Sequence, residues 1–146
     1  MLDPDLGFSS CRMKFGQRVA GHLLRRGIKA LVVACNTAST HALSALQATG
    51  EKEGLPVLGV IEPGIAEATS RSKAGWIGVM GTEGTIDGGH YQAALAAQGI
   101  KVSAVACPLL VSLAEEGWCE DPIAIAVAER YLAEMRGGPD TVILGC

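Results

Sequence analysis

The sequence contains no apolar run approaching the roughly 20 residues needed to span a bilayer, although 49% of its 146 residues are hydrophobic. A membrane partner is therefore not expected. Aromatic residues are scarce, with two each of Trp, Tyr and Phe, and the 12 Lys and Arg are scattered apart from Arg25 and Arg26. Against 15 Asp and Glu they leave a net charge of −3 and no basic stripe, so nucleic acid is not an expected partner. The five cysteines, Cys11, Cys35, Cys107, Cys119 and Cys146, are odd in number and include no C-x-x-C pair. No histidine stands at metal-ligand spacing from them, so neither a disulfide framework nor a metal site is suggested. The opening MLDPDLGF lacks the basic and apolar regions of a secretory signal, and a cytoplasmic location is expected. Low-complexity stretches are absent as well.

What is present is a regular alternation. Five short apolar runs, at residues 30–35, 56–61, 75–81, 101–107 and 141–146, read as buried strands. Segments rich in Ala, Leu, Gln and Glu at 38–48, 84–98 and 121–136, and a weaker one at 12–26, carry helical spacing. Nearly continuous hydrophobic strands alternating with helices predict a parallel sheet covered on both faces, because parallel strands need crossover connections. The expected class is α/β, a three-layer, Rossmann-like arrangement.

Ligands of open α/β sheets bind beyond the carboxyl ends of the strands. Three segments place polar residues at that edge: ACNTAST (34–40), GTEGTIDGG (81–89) and the terminal GC (145–146). Cys35 follows a strand and precedes a helix, with Asn36 or Thr37 available as cap, and cysteines in that setting are the reactive ones. A single cysteine is more often inert packing. The small polar residues Asn36, Thr37, Ser39 and Thr40 weigh against that here, as expected donors and acceptors for a carboxylate or ammonium group. The glycines of GTEGTIDGG match neither G-x-G-x-x-G nor the Walker spacing, so nucleotide binding is not expected.

The ordered series VVACNTAS, PVLGVIEPG, IGVMGTEGTI, CPLLVSLAEEG and TVILGC resembles the motif series of glutamate racemases within the aspartate/glutamate racemase superfamily, over residues 19 to 146. That resemblance implies interconversion of L- and D-glutamate, which in bacteria feeds peptidoglycan synthesis, with no cofactor. Cys35 and Cys146 match the two catalytic cysteines, one for each face of the substrate. Asn36 and Thr37 match residues that hold the amino-acid head, and Thr82 and Thr85 match residues that line the pocket. Glu115 or Glu116, with Glu115 preferred, matches the glutamate beside the second cysteine. Two thiols suit the chemistry: one face of the α-carbon gives up a proton and the other receives one, and a thiol and a thiolate can exchange roles with direction. Without pyridoxal, the carbanion depends on preorganised donors and exclusion of water.

The same resemblance implies a two-domain enzyme of which this chain holds the central part. Residues 1–37 are expected to be a remnant of the first α/β domain, 38–138 the second domain, and 139–146 a strand returning to the first. The family's Asp-Ser-Gly and Pro-Tyr-Gly motifs are absent from the opening, and its Thr-His does not follow Cys146. Uncovered apolar flanks on the strands ALVVAC and TVILGC are expected in consequence, with reduced or absent activity of the chain alone. An aspartate or other dicarboxylate racemase, and a non-catalytic α/β fragment binding a ligand or a partner, stand as alternatives. A homodimer is left open. Cys107, before Pro108, is expected to be a buried strand-end residue; Cys11, Cys119, His22, His41 and His90 are assigned no chemical part.

Overall fold

The computed structural model describes the backbone of residues 4–135 and 137–146, and side chains from residue 13 onward apart from that of residue 136. The sequence expectations for Cys11 fall on a side chain outside the described set. Contacts divide the chain into two compact units, residues 1–60 and 61–146.

The first unit runs α1 (Pro4–Leu24), β1 (Leu31–Val33), α2 (Asn36–Glu53) and β2 (Val57–Gly59). The two strands are parallel, with Leu31 opposite Val57, Val32 opposite Leu58 and Val33 opposite Gly59. Ala20 of α1, Val33, Ala42, Leu43, Leu46 and Val57 form its core. The buried positions of α2 recur at helical spacing, which lays one stripe of the helix on the strands. Helix α2 ends where Gly54 turns left-handed and returns its N–H, with that of Leu55, to the carbonyls of Glu51 and Gly50, a Schellman-type stop only glycine enters without strain. The partners Val32 and Leu58 are 59% and 58% exposed. Among the described residues, the apolar flank of ALVVAC is thus exposed at Val32, as expected.

The second unit contains α3 (Ile61–Arg71), β3 (Trp76–Gly81), α4 (Glu83–Asp87), α5 (His90–Ala96), β4 (Lys101–Ala106), α6 (Pro108–Glu115), α7 (Pro122–Ala133) and β5 (Thr141–Gly145). Its sheet is parallel, in the order β4-β3-β5. Side chains of β3 alternate between two layers. Ile77 and Val79 pack with Ile61, Ile65 and Ala68 of α3 and Tyr91 and Leu95 of α5. Met80 faces the other way, with Val105, Cys107, Met135, Leu110 and Tyr131. The result is the expected α/β architecture with helices on both faces of a parallel sheet.

The two compact units meet at Val60/Ile61, where the pairing of β2 with β1 keeps α2 in the first unit. The final strand, β5, registers with β3 from Ile77–Thr141 to Gly81–Gly145. Its entry is fastened by Asp140, whose carboxylate accepts hydrogen bonds from the Ser72 hydroxyl at 2.7 Å and the backbone N–H groups of Lys73 and Ala74 at 2.7 and 2.8 Å. The predicted helix over 84–98 is two helices, α4 and α5, separated by Gly88 and Gly89. The outward side chain of β5, Leu144, is 72% exposed, as expected for the flank of TVILGC.

Candidate active site

Cys35, Thr82 and Cys146 follow the carboxyl ends of strands, where parallel α/β sheets collect ligands, while Glu115 closes helix α6. In the first unit, Cys35 is the N-cap of α2: its backbone is extended and its Sγ accepts the Ala38 N–H at 3.5 Å. The thiol is exposed. Asn36 and Thr37 open the helix and are half-buried. Ser39 and Thr40 differ from expectation. Both are buried, because they stand on the helix stripe that faces β1 and the core, one turn from Ala42 and Leu43. The Ser39 hydroxyl donates to the carbonyl of Val33 at 2.9 Å, while the Thr40 hydroxyl is buried without a hydrogen-bond partner. Neither is presented to a ligand.

In the second unit, Thr82 caps α4 at the end of β3. Its Oγ1 accepts the Thr85 N–H at 3.2 Å and shares a hydrogen bond with the Thr85 hydroxyl at 3.0 Å. Thr85 is fully buried. Its methyl group packs against Gly81, and a Cβ on Gly145 would stand 3.7 Å from that methyl. The threonine pair therefore adjoins the strand end that carries Cys146. Cys146 itself is exposed. It lines a cavity of about 330 Å³ together with Glu115 and the apolar side chains of Met80, Leu110, Val111 and Leu144. Glu116 is absent from that lining and caps the end of α6, which leaves Glu115 as the carboxylate that shares a cavity with the thiol.

Cys107 also borders this cavity but is chemically different. It is buried at the end of β4 and its thiol donates to the Val105 carbonyl at 3.4 Å. Burial, and secondarily the charge of Glu134, push its thiol above the usual range, against a smaller opposing hydrogen bond from Gly81. It stays a neutral packing thiol at physiological pH, in line with its expected role. Two exposed thiols at strand ends, Cys35 and Cys146, contrast with it.

The cavity lining is what the sequence reading missed. Its signal was the unusually apolar LLV following Cys107–Pro108, which was placed in the motif series but not on a helix. Among the described residues no cluster of three or more His, Cys, Asp or Glu is disposed to hold a metal ion.

Comparison with known proteins shows the family. Residues 14–146 match the family model described as Asp/Glu/hydantoin racemase. The chain is 47% identical over 134 residues to a glutamate racemase of Aquifex aeolicus, covering 92% of this chain and 52% of that protein. It is 47% identical over 136 residues to one from Geobacter metallireducens, covering 91% and 49%. Among solved structures, a glutamate racemase from Bacillus anthracis superposes with a TM-score of 0.86 at 37% identity, over 94% of this chain and 52% of that one. A Francisella tularensis glutamate racemase in complex with D-glutamate gives 0.86 at 30% identity, with the same coverage. The chain thus spans about half the length of the relatives it matches. With the family model accounting for all but its first 13 residues, the chain belongs to the Asp/Glu/hydantoin racemase family.

Proposed function

We propose that this chain serves the cofactor-independent interconversion of L- and D-glutamate, with Cys35 and Cys146 as the acid–base pair. The observation that carries the reading is the contrast among its thiols. Cys35 at a helix N-terminus and Cys146 beside Glu115 are accessible at strand ends, while Cys107 is buried and hydrogen-bonded. One thiolate takes the α-proton and the other thiol returns one to the opposite face, so the enantiomers exchange the roles of the two sulfurs. Thr82 and Thr85 provide hydroxyls for a carboxylate, Asn36 and Thr37 hold the amino-acid head, and Glu115 is the catalytic carboxylate that shares the cavity of Cys146. The glutamate racemases among its relatives support glutamate as substrate, and the product suits peptidoglycan synthesis. The cytoplasm suits a mechanism that needs reduced thiols; among the described residues no helix is long and apolar enough to cross a membrane.

The test is incubation of the purified, folded chain with L-glutamate and separately with D-glutamate in deuterated water. Exchange of the α-proton is followed by NMR and inversion by circular dichroism, with aspartate run in parallel. Exchange with inversion from both enantiomers of glutamate, reduced in rate for this chain alone and lost in Cys35→Ala and in Cys146→Ala, is the expected result. Activity that survives either substitution refutes the two-thiol assignment. Faster turnover of aspartate would overturn the choice of substrate.

A further inference from the structure

We infer that Ser39 is the positioning residue for the Cys35 thiol. The inference rests on the reading of Cys35 as a proton-transfer group, but its structural basis is separate. Only Ala34 and Cys35 connect the end of β1 to the start of α2. The torsions of these two residues set the angle of the first turn of the helix, and of the thiol that caps it, relative to the strand. Two hydrogen bonds from one residue close this link. The Ser39 hydroxyl donates to the Val33 carbonyl at 2.9 Å across six residues, and the Ser39 N–H donates to the Cys35 carbonyl at 2.8 Å. A serine in a helix usually turns its hydroxyl to solvent or back onto its own helix. Here it reaches the strand instead and is 2% exposed, so water does not compete for the bond. Cys35 is bracketed between the two anchor points, and its Sγ is held where it accepts the Ala38 N–H.

Positioning of this kind is distinct from general packing. Loss of the Ser39 hydroxyl frees one end of the bracket while the helix, its apolar stripe and the other cysteines are left in place. The sulfur then leaves the helix terminus for part of the time, and with it the setting that makes such cysteines reactive.

The measurement is site-resolved alkylation of the whole chain by iodoacetamide at pH 7.5, read by peptide mass spectrometry at Cys35, Cys119 and Cys146, all exposed free thiols. In Ser39→Ala the Cys35 rate should fall by about threefold or more, with Cys119 and Cys146 unchanged and far-ultraviolet circular dichroism as in the parent. Ser39→Thr, which keeps the hydroxyl, should restore most of the rate. An unchanged Cys35 rate in Ser39→Ala, a parallel change at all three cysteines, or a Ser39→Thr chain no better than Ser39→Ala would each overturn the inference. The glutamate exchange assay keeps the two readings apart. Ser39-dependent alkylation in a chain that exchanges no α-proton upholds the bracket and removes the activity proposed for this chain. Exchange in a chain whose Cys35 ignores Ser39 does the reverse.

Discussion

Replacing Gly50 by alanine sets two known effects against each other in the helix that carries Cys35. Gly50 lies inside α2 and is buried, and intrinsic propensity favours alanine there by about 1 kcal/mol. Sterics point the other way. A Cβ at this position would stand 2.5 Å from the Leu55 carbonyl oxygen and 2.5 Å from Cγ2 of Val57. One of these is backbone and cannot rotate aside. The reason for the crowding is the helix stop: Leu55 N–H returns to the Gly50 carbonyl at 2.8 Å and Gly54 N–H to Glu51 at 3.3 Å, so the chain folds back over Gly50 before entering β2. Accommodating the methyl group must push β2 outward or open those bonds. Overpacking costs about 1–3 kcal/mol, and each lost hydrogen bond adds about 1 kcal/mol. The steric side wins, and Gly50→Ala should destabilise the first unit by a net of about 1–3 kcal/mol. Hydrogen exchange by mass spectrometry reads this locally: peptides over residues 42–60 should lose protection while those over β3 and β4 do not. Urea unfolding gives the magnitude. A variant as stable as the parent or more so, with unchanged protection in β2, would show that propensity wins and that the close approach of β2 to α2 is misjudged.

Two further outcomes depend on polar groups. Asp140 has its carboxyl lowered from 3.8 to about 2, chiefly by the Ala74 N–H and then by the Ser72 hydroxyl and Lys73 N–H. A folded value below the unfolded one means that its contribution is complete above about pH 4 and fades as pH falls towards 2, so Asp140→Asn should melt earlier than the parent at pH 6 and together with it near pH 2; a gap independent of pH would refute the assignment. Thr40 is 6% exposed with an unpartnered hydroxyl, and Thr40→Val, which keeps the shape and removes that hydroxyl, should stabilise the chain by about 1–2 kcal/mol in urea unfolding; a loss of stability would reveal a partner for the hydroxyl.

Much of the candidate site was legible because its residue types sit where a parallel strand stops and polar residues begin. Cys35, Thr82 and Cys146 all follow runs whose β-branched and apolar composition marks them as buried strands, and all three stand at or just after strand ends. Ser39 and Thr40 were misread because composition does not reveal which side of a helix meets the sheet. Helices α3 and α6 are not marked by periodicity in the sequence. At 11 and 8 residues, such segments are too short for a period of 3.6 to be told from a plain apolar run.

The sequence by itself determined the class, the parallel character of the strands and the family, since these depend on the order and composition of local segments. Only the tertiary structure decided which strands share a sheet, that β2 closes the first unit, and that β5 lies beside β3. It also decided that Glu115 rather than Glu116 lines the cavity that Cys146 borders. Parallel strands are joined by crossovers, and a crossover can deliver its strand to more than one place in a sheet without changing the pattern of the strand. Neighbours along the chain state what a segment can become. Register, helix rotation and cavity walls follow from contacts between residues tens of positions apart.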